Sequence, residues 1–134
     1  ARKWHAVLSK KHGLSEFGVV IADSHSLPMR WGVLDISIGF WGFNPLKDYR
    51  GTEDLFGYVL RVSQNNIPDA MAAAAGGIMG QGTEQTPAVL IRGWPGIEFN
   101  ADQNYQEKFL IAPEDDLFNV LLDVFKEKGV SSKK

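Results

Sequence analysis

Three stretches gather residues able to do chemistry. In the first, "ADSHSLPMR" (residues 22–30), an apolar run stops at Asp23 and Ser24, His25, Ser26 and Arg30 follow. A carboxylate beside a hydroxyl offers the hard oxygens that Mg²⁺ or Mn²⁺ takes. Asp23, Ser24 and Ser26 are equally suited to a turn or cap, because short polar side chains bond their own backbone. His25 has no ligand-spaced histidine partner, so a zinc site is not supported, and it reads as an acid–base group or a turn residue.

The second stretch, "NPLKDYRG" (residues 44–51), sets Lys47, Asp48 and Arg50 in a turn-rich segment. Lysine and arginine hold phosphate or carboxylate groups, arginine bidentately. The competing reading is a solvated loop with an internal Asp48–Arg50 ion pair. Arg30 and Arg61 add local positive charge. The third, "GGIMGQGT" (residues 76–83), lacks the lysine of a phosphate-binding loop and follows a helix instead of opening one. Gln81 between Gly80 and Gly82 either presents its amide oxygen to a cation or forms a simple turn.

These residues need elements to place them. Residues 3–12 put Trp4, Val7, Leu8 and Lys11 on one helical side, with Gly13 where a left-handed cap belongs. Residues 17–22 form a continuous apolar run of strand length, expected to be buried on both faces. Residues 33–39 alternate, so that Leu34, Ile36 and Ile38 are expected to line the core and Asp35 and Ser37 the polar face. Residues 40–57 read as a long structured loop, residues 58–63 as a strand, and residues 65–80 as a helix with an Asn cap and Pro68 in its first turn. Four alanines in that helix leave a slim surface for close approach, whereas Gly76 and Gly77 weaken it. A further strand is expected at 88–91 and a loop at 93–109. A final helix is expected to open at Pro113 and carry Leu117, Val120, Leu121, Val124 and Phe125, ending at Gly129. The irregular interleaving predicts an α+β fold, a mixed or antiparallel sheet with packed helices.

At 134 residues, with 44% hydrophobic and 22% charged, the composition is that of one ordinary globular domain. A formal charge of -2 leaves no global field to gather nucleic acid or an anionic membrane, and no partner of either kind is expected. There is no cysteine, which excludes disulfides and thiolate metal sites and makes the cytoplasm the expected compartment. No apolar stretch approaches the roughly 20 residues of a membrane-spanning helix. The four tryptophans are explained by core and interface packing.

Together, "VVIADSHSLPMRWG", "DISIGFWGFNPLKDYRGTEDLFGYVLRVSQNNIPDAMAAAAGGIMGQG" and "PAVLIRG" resemble the gamma-glutamyl ligases of coenzyme F-420 biosynthesis, including bacterial relatives assigned to folate metabolism. The resemblance runs from residue 17 to 93, with weaker similarity in "FLIAPEDDLF". It implies an enzyme that joins L-glutamate to a small-molecule carboxylate acceptor through an amide bond, using GTP (or ATP) and Mg²⁺ or Mn²⁺; a homodimer is expected. By the resemblance, Asp23, Ser24 and Gln81 bind metal, and Ser24, Gln81 and Gly82 lie against the nucleotide. Arg30, Lys47 and Arg50 are then expected to position anions, with Asp48 orienting one of them. Ser24 stands where the F-420 enzymes usually have threonine, which keeps the hydroxyl.

The family's N-terminal half, with an Asn-Ala-Gly-type segment and another metal-binding aspartate, has no counterpart here. Residues 1–134 are therefore expected to be a single domain or the C-terminal part of an incomplete gamma-glutamyl ligase domain, with 131–134 a frayed tail. The alternative is a non-catalytic binding or assembly module that retains half of the ligase fold, with the alanine-rich helix and exposed tryptophans as its dimer contacts.

Overall fold

The computed structural model describes residues 1–120. Helix α1 (Arg2–His12) closes at Gly13, whose left-handed backbone (φ 64°) lets its N–H reach the Ser9 carbonyl at 2.8 Å. The side expected to be apolar faces outward, with Trp4 62% and Val7 54% exposed. What α1 buries is His5, whose ring stacks on Phe17 at 4.1 Å between centroids, with Nε2 3.1 Å from the Phe17 carbonyl oxygen. A polar ring is buried here because it finds both a stacking partner and a hydrogen bond.

Strands β1 (Val19–Ser26) and β2 (Val33–Trp41) form an antiparallel hairpin. The first run thus begins at Val19 instead of Phe17 and continues past Asp23. It is half-buried as far as Ala22 and exposed beyond, so it is not covered on both faces. Register slips between Ile21 and Ala22, leaving Ile38 as the extra residue of a bulge in β2. Directly opposed residues of an antiparallel pair share a face. Val20, Ala22 and Ser24 therefore share one with Phe40, Ser37 and Asp35.

Helix α2 (Ile67–Met79) covers that face. The expectation for β2 is thus reversed: Asp35 is 6% exposed, while Leu34 and Ile38, expected inside, are 40% and 63% exposed. Strict alternation fails because the bulge changes its phase, and because the covering helix lies on the aspartate's side.

The start of α2 follows the sequence closely. Asn66 Oδ1 accepts the Asp69 N–H at 3.1 Å, and Pro68 occupies the first turn, where its missing N–H costs nothing. The slim face is used, since Ala72 and Gly76 are buried. Asp69 also reaches across, its Oδ1 accepting the Ser37 N–H at 2.8 Å.

A second small sheet pairs β3 (Leu46–Asp48) with β4 (Gln64–Asn66). Residues 58–63 are not a strand, although an isolated bridge between Glu53 and Val59 and backbone hydrogen bonds such as Leu60 N–H to the Thr52 carbonyl (2.8 Å) hold them against 49–54. The 88–91 run is likewise unpaired coil; its apolar content does not make a ladder without a neighbouring edge. Within the expected 93–109 loop lies a one-turn helix, α3 (Gln106–Phe109). Pro113 opens a three-residue 3₁₀ turn, Pro113–Asp115, and α-helical backbone begins only at 119–120, the last described residues. The expected helical positions Leu121, Val124, Phe125 and Gly129, and the 131–134 tail, lie outside the described residues.

The core gathers Phe40, Phe43 and Ile67, packed by Val20, Met71, Trp94, Ile97, Tyr105 and Phe109. The Phe40 and Phe109 rings meet edge-on at 5.1 Å. Phe43 fills the space where a side chain on Gly18 would stand. The architecture is α+β: a helix on an antiparallel hairpin, with a smaller hairpin and coil closing the end of the core.

Candidate functional site

Strand alternation decides how the first stretch is displayed. Ser24 lies opposite Asp35 on the face under α2, whereas Asp23 lies opposite Ile36 on the other face. Both are exposed, and Asp23 Oδ1 takes the Ser24 backbone N–H at 2.8 Å. Both residues are in strand β1 and the bond joins neighbours, so this is not an Asx turn, and it leaves the second carboxylate oxygen for another partner.

Gln81 follows the end of α2, where Gly80 (φ 76°) turns the chain back toward the hairpin. Its Nε2–H donates to Asp35 Oδ1 at 2.5 Å. Helix and strand come this close because residue 76 is glycine: a Cβ there would overlap the Asp35 carboxylate. Gln81 is therefore brought to the Asp35–Ser24 face and not beside the Asp23 side chain. Gly82 donates its N–H to Glu84 Oε2 at 2.8 Å, so this amide already has an acceptor. Glu84's carboxyl lies below its usual pKa because its own backbone N–H and that of Gly82 stabilise the anion.

The cationic stretch divides. Arg50 and Asp48 form a bidentate pair, with Nε 2.9 Å from Oδ1 and an Nη 2.6 Å from Oδ2. Hydrogen bonding from Arg50 brings the Asp48 carboxyl down to about 2. Lys47 extends over the Tyr49 ring, 5.0 Å from its centroid, and lies against Gly96. Arg30 sits elsewhere, at the exposed tip of the β1–β2 hairpin between Met29 and Trp31. Arg30, Lys47 and Arg50 thus do not form one described cluster, and the exposed Asp48–Arg50 contact is the internal ion pair of the competing reading.

Asp35 was not among the candidates. Its signal was an acid inside the apolar run "VLDISIG", ahead of a helix carrying Gly76–Gly77. Ser37 was missed as well; its Oγ is buried and has no hydrogen-bond partner among the described residues.

As a donor set, Ser24 Oγ, Gln81 Oε1 and the carboxylate of Asp23 are hard oxygens and suit Mg²⁺ or Mn²⁺ in kind. Ser24 and Gln81 share a face and Asp23 lies on the other, so the described residues do not gather the three into one shell. No group of three or more His, Cys, Asp or Glu residues placed to hold a metal occurs among the described residues.

The site residues sit where a slim helix packs on a bulged antiparallel hairpin. The pattern describing the family F420-0:Gamma-glutamyl ligase matches residues 1–93, and the chain belongs to that family. Among its relatives, the coenzyme F420:L-glutamate ligase of Methanothermobacter thermautotrophicus is 36% identical over 111 residues, covering 83% of this chain and 41% of the relative. Those of Methanopyrus kandleri and Methanocaldococcus jannaschii are 36% and 39% identical over 77% and 75% of this chain, covering 41% and 39% of their own lengths. The chain thus spans about two-fifths of the length of these relatives.

Proposed function

We propose that the chain forms part of a ligase that joins L-glutamate through an amide bond to the carboxylate of a small-molecule acceptor, F-420 precursor-like or folate-like, with GTP or ATP as co-substrate. The observation that carries this reading is the family match over residues 1–93, which includes every candidate site residue. Condensing a carboxylate with an amine in water is uphill. The γ-phosphoryl group therefore passes to an acceptor carboxylate oxygen, releasing the nucleoside diphosphate. The glutamate amine attacks the acyl carbon, the C–O bond to phosphate breaks, inorganic phosphate leaves, and the nitrogen gives up a proton.

When bound, Mg²⁺ or Mn²⁺ neutralises phosphate charge as it shifts. Of the residues named for that ion, Ser24 and Gln81 would offer oxygens from the hairpin face under α2, and Asp23 would offer a carboxylate from the opposite face of β1. Lys47 is the cation of the 44–51 segment with no acid paired to it among the described residues; Arg50 would engage an anion by exchanging it for Asp48. Gly82 would face the nucleotide without its N–H, which is bound to Glu84.

The remaining three-fifths of the family's length is the partner this reading needs. The outer face of the hairpin, with Leu34, Ile36 and Ile38, carries the apolar side chains of a core layer, and Leu34 and Ile38 are largely open. Covering that face would bury β1 on both sides.

The test uses the intact protein with L-glutamate, candidate acceptors, GTP or ATP, and Mn²⁺, read by product mass. Asp23→Asn is expected to lower turnover at least about 100-fold, the scale of losing one electrostatic anchor of a charged transition state. Retained turnover sinks the assignment.

The exposed apolar side chains favour a second reading, an assembly module that also forms a homodimer, for which the fully exposed Trp31 marks a contact. Calorimetry of residues 1–134 with GTP, ATP and Mn²⁺ separates the two. Saturable metal-dependent binding supports the ligase site within the chain, and its absence supports the module or a site split between this chain and the remaining family length.

A further inference from the structure

We infer that Asp35 is a positioning residue: its buried carboxylate captures the NH₂ end of Gln81 and so presents the Gln81 carbonyl oxygen to a divalent cation. The inference rests on the reading above that Gln81 is a metal ligand. A primary amide has one donor end and one acceptor end, and a carboxylate accepts only. At 2.5 Å the group facing Asp35 Oδ1 must be Nε2–H; the flipped amide would set two oxygens against each other. Gln81 Oε1 is therefore the outward end.

Asp35 cannot turn away to water. It is 6% exposed, and Gly76 of α2 stands directly against its carboxylate. The direction of the amide is thus fixed by the packing of helix on strand. Ser24 lies opposite Asp35 in register, so its hydroxyl shares a face with the Gln81–Asp35 pair. A neutral oxygen held in this way suits a hard cation, which loses less to ligand ordering when the ligand is preset.

The experiment measures Mn²⁺ affinity of the intact protein by electron paramagnetic resonance, without nucleotide, for Gln81→Ala, Asp35→Asn and the double variant. Gln81→Ala is expected to weaken binding. Asp35→Asn, which lets either amide end face outward, is expected to cost about 10-fold or more, the usual effect of an outer partner of a metal ligand. The double variant should bind no worse than Gln81→Ala alone, because Asp35 acts only through Gln81. If the two losses add, Asp35 touches the ion itself and the inference is overturned.

Unchanged Mn²⁺ affinity in Asp35→Asn, with Gln81→Ala still weakened, also overturns it and leaves the metal reading standing. No loss in Gln81→Ala removes the metal reading and this inference together. Should Asp35→Asn not fold, NMR of the unmutated protein decides. A Gln81 Nε2 proton shifted downfield and slow to exchange, with only the Cδ resonance moving as Mg²⁺ is added, supports the role. A freely exchanging amide rejects it.

Discussion

The Asp48–Arg50 pair shows how the surface chemistry of single residues depends on their neighbours. Hydrogen bonding from Arg50 holds Asp48 down at about 2, from an ordinary 3.8. Because the folded value is depressed, whatever the pair adds to stability is present above about pH 3.8 and disappears as pH falls toward 2. Both side chains are exposed, so solvent screening keeps that contribution small. In Arg50→Ala, the Asp48 titration followed by carboxyl-carbon NMR should return upward toward 3.8. If the pair opens to clamp an anion, added triphosphate should move the Asp48 midpoint of the unmutated protein in the same direction.

At the scale of elements, α2 carries two adjacent glycines with opposite expected behaviour. A Cβ at Gly76 meets the Asp35 carboxylate, so Gly76→Ala should destabilise by about 1–3 kcal/mol, as overpacking does. At Gly77 nothing lies within 4 Å, and Gly77→Ala should stabilise by about 0.5–1 kcal/mol through helix propensity. Urea unfolding of the two variants checks the signs. Phe43→Ala, at a side chain 1% exposed, should cost about 3–5 kcal/mol by the same measurement. The sequence made α1, α2 and their caps legible because helix signals are local: Gly13, Asn66 and Pro68 act on their own turns. The strands were less legible, because a ladder depends on a distant partner. Residues 88–91 have the composition of a strand but no edge to join, while "QNN" is a strand only because β3 lies beside it. Asp23, Ser24 and Gln81 stood out by residue type, but which of them meet was decided by register and by a bulge that leaves no mark in the residue pattern.

For the whole molecule, the described residues leave large apolar side chains in water, among them Met29 and Trp31 at the hairpin tip and Leu55 and Phe56 in the next turn. These make few contacts within the chain, so the triple variant Met29→Ser, Trp31→Ser, Leu55→Ser should keep its unfolding free energy within about 1.5 kcal/mol, the sum of three surface changes. Apolar-dye binding should fall, since contiguous exposed patches are what such dyes and partner surfaces take up. Unchanged dye binding would mean that the sticky surface lies elsewhere. The extra residue at Ile38 has its own consequence for how far this hairpin can be edited. It shifts the frame of β2, so one side of the ribbon is greasy at the Phe40 end and ionic at the Asp35 end, and a single helix spans both. Residues 35 and 40 are an odd number apart and would fall on opposite sides of an even ladder, so an even pairing that kept residue 38 would throw either the phenyl ring or the acid to the wrong side. The fold's centre and its chemistry are therefore tuned by one insertion, and neither can be re-registered without the other.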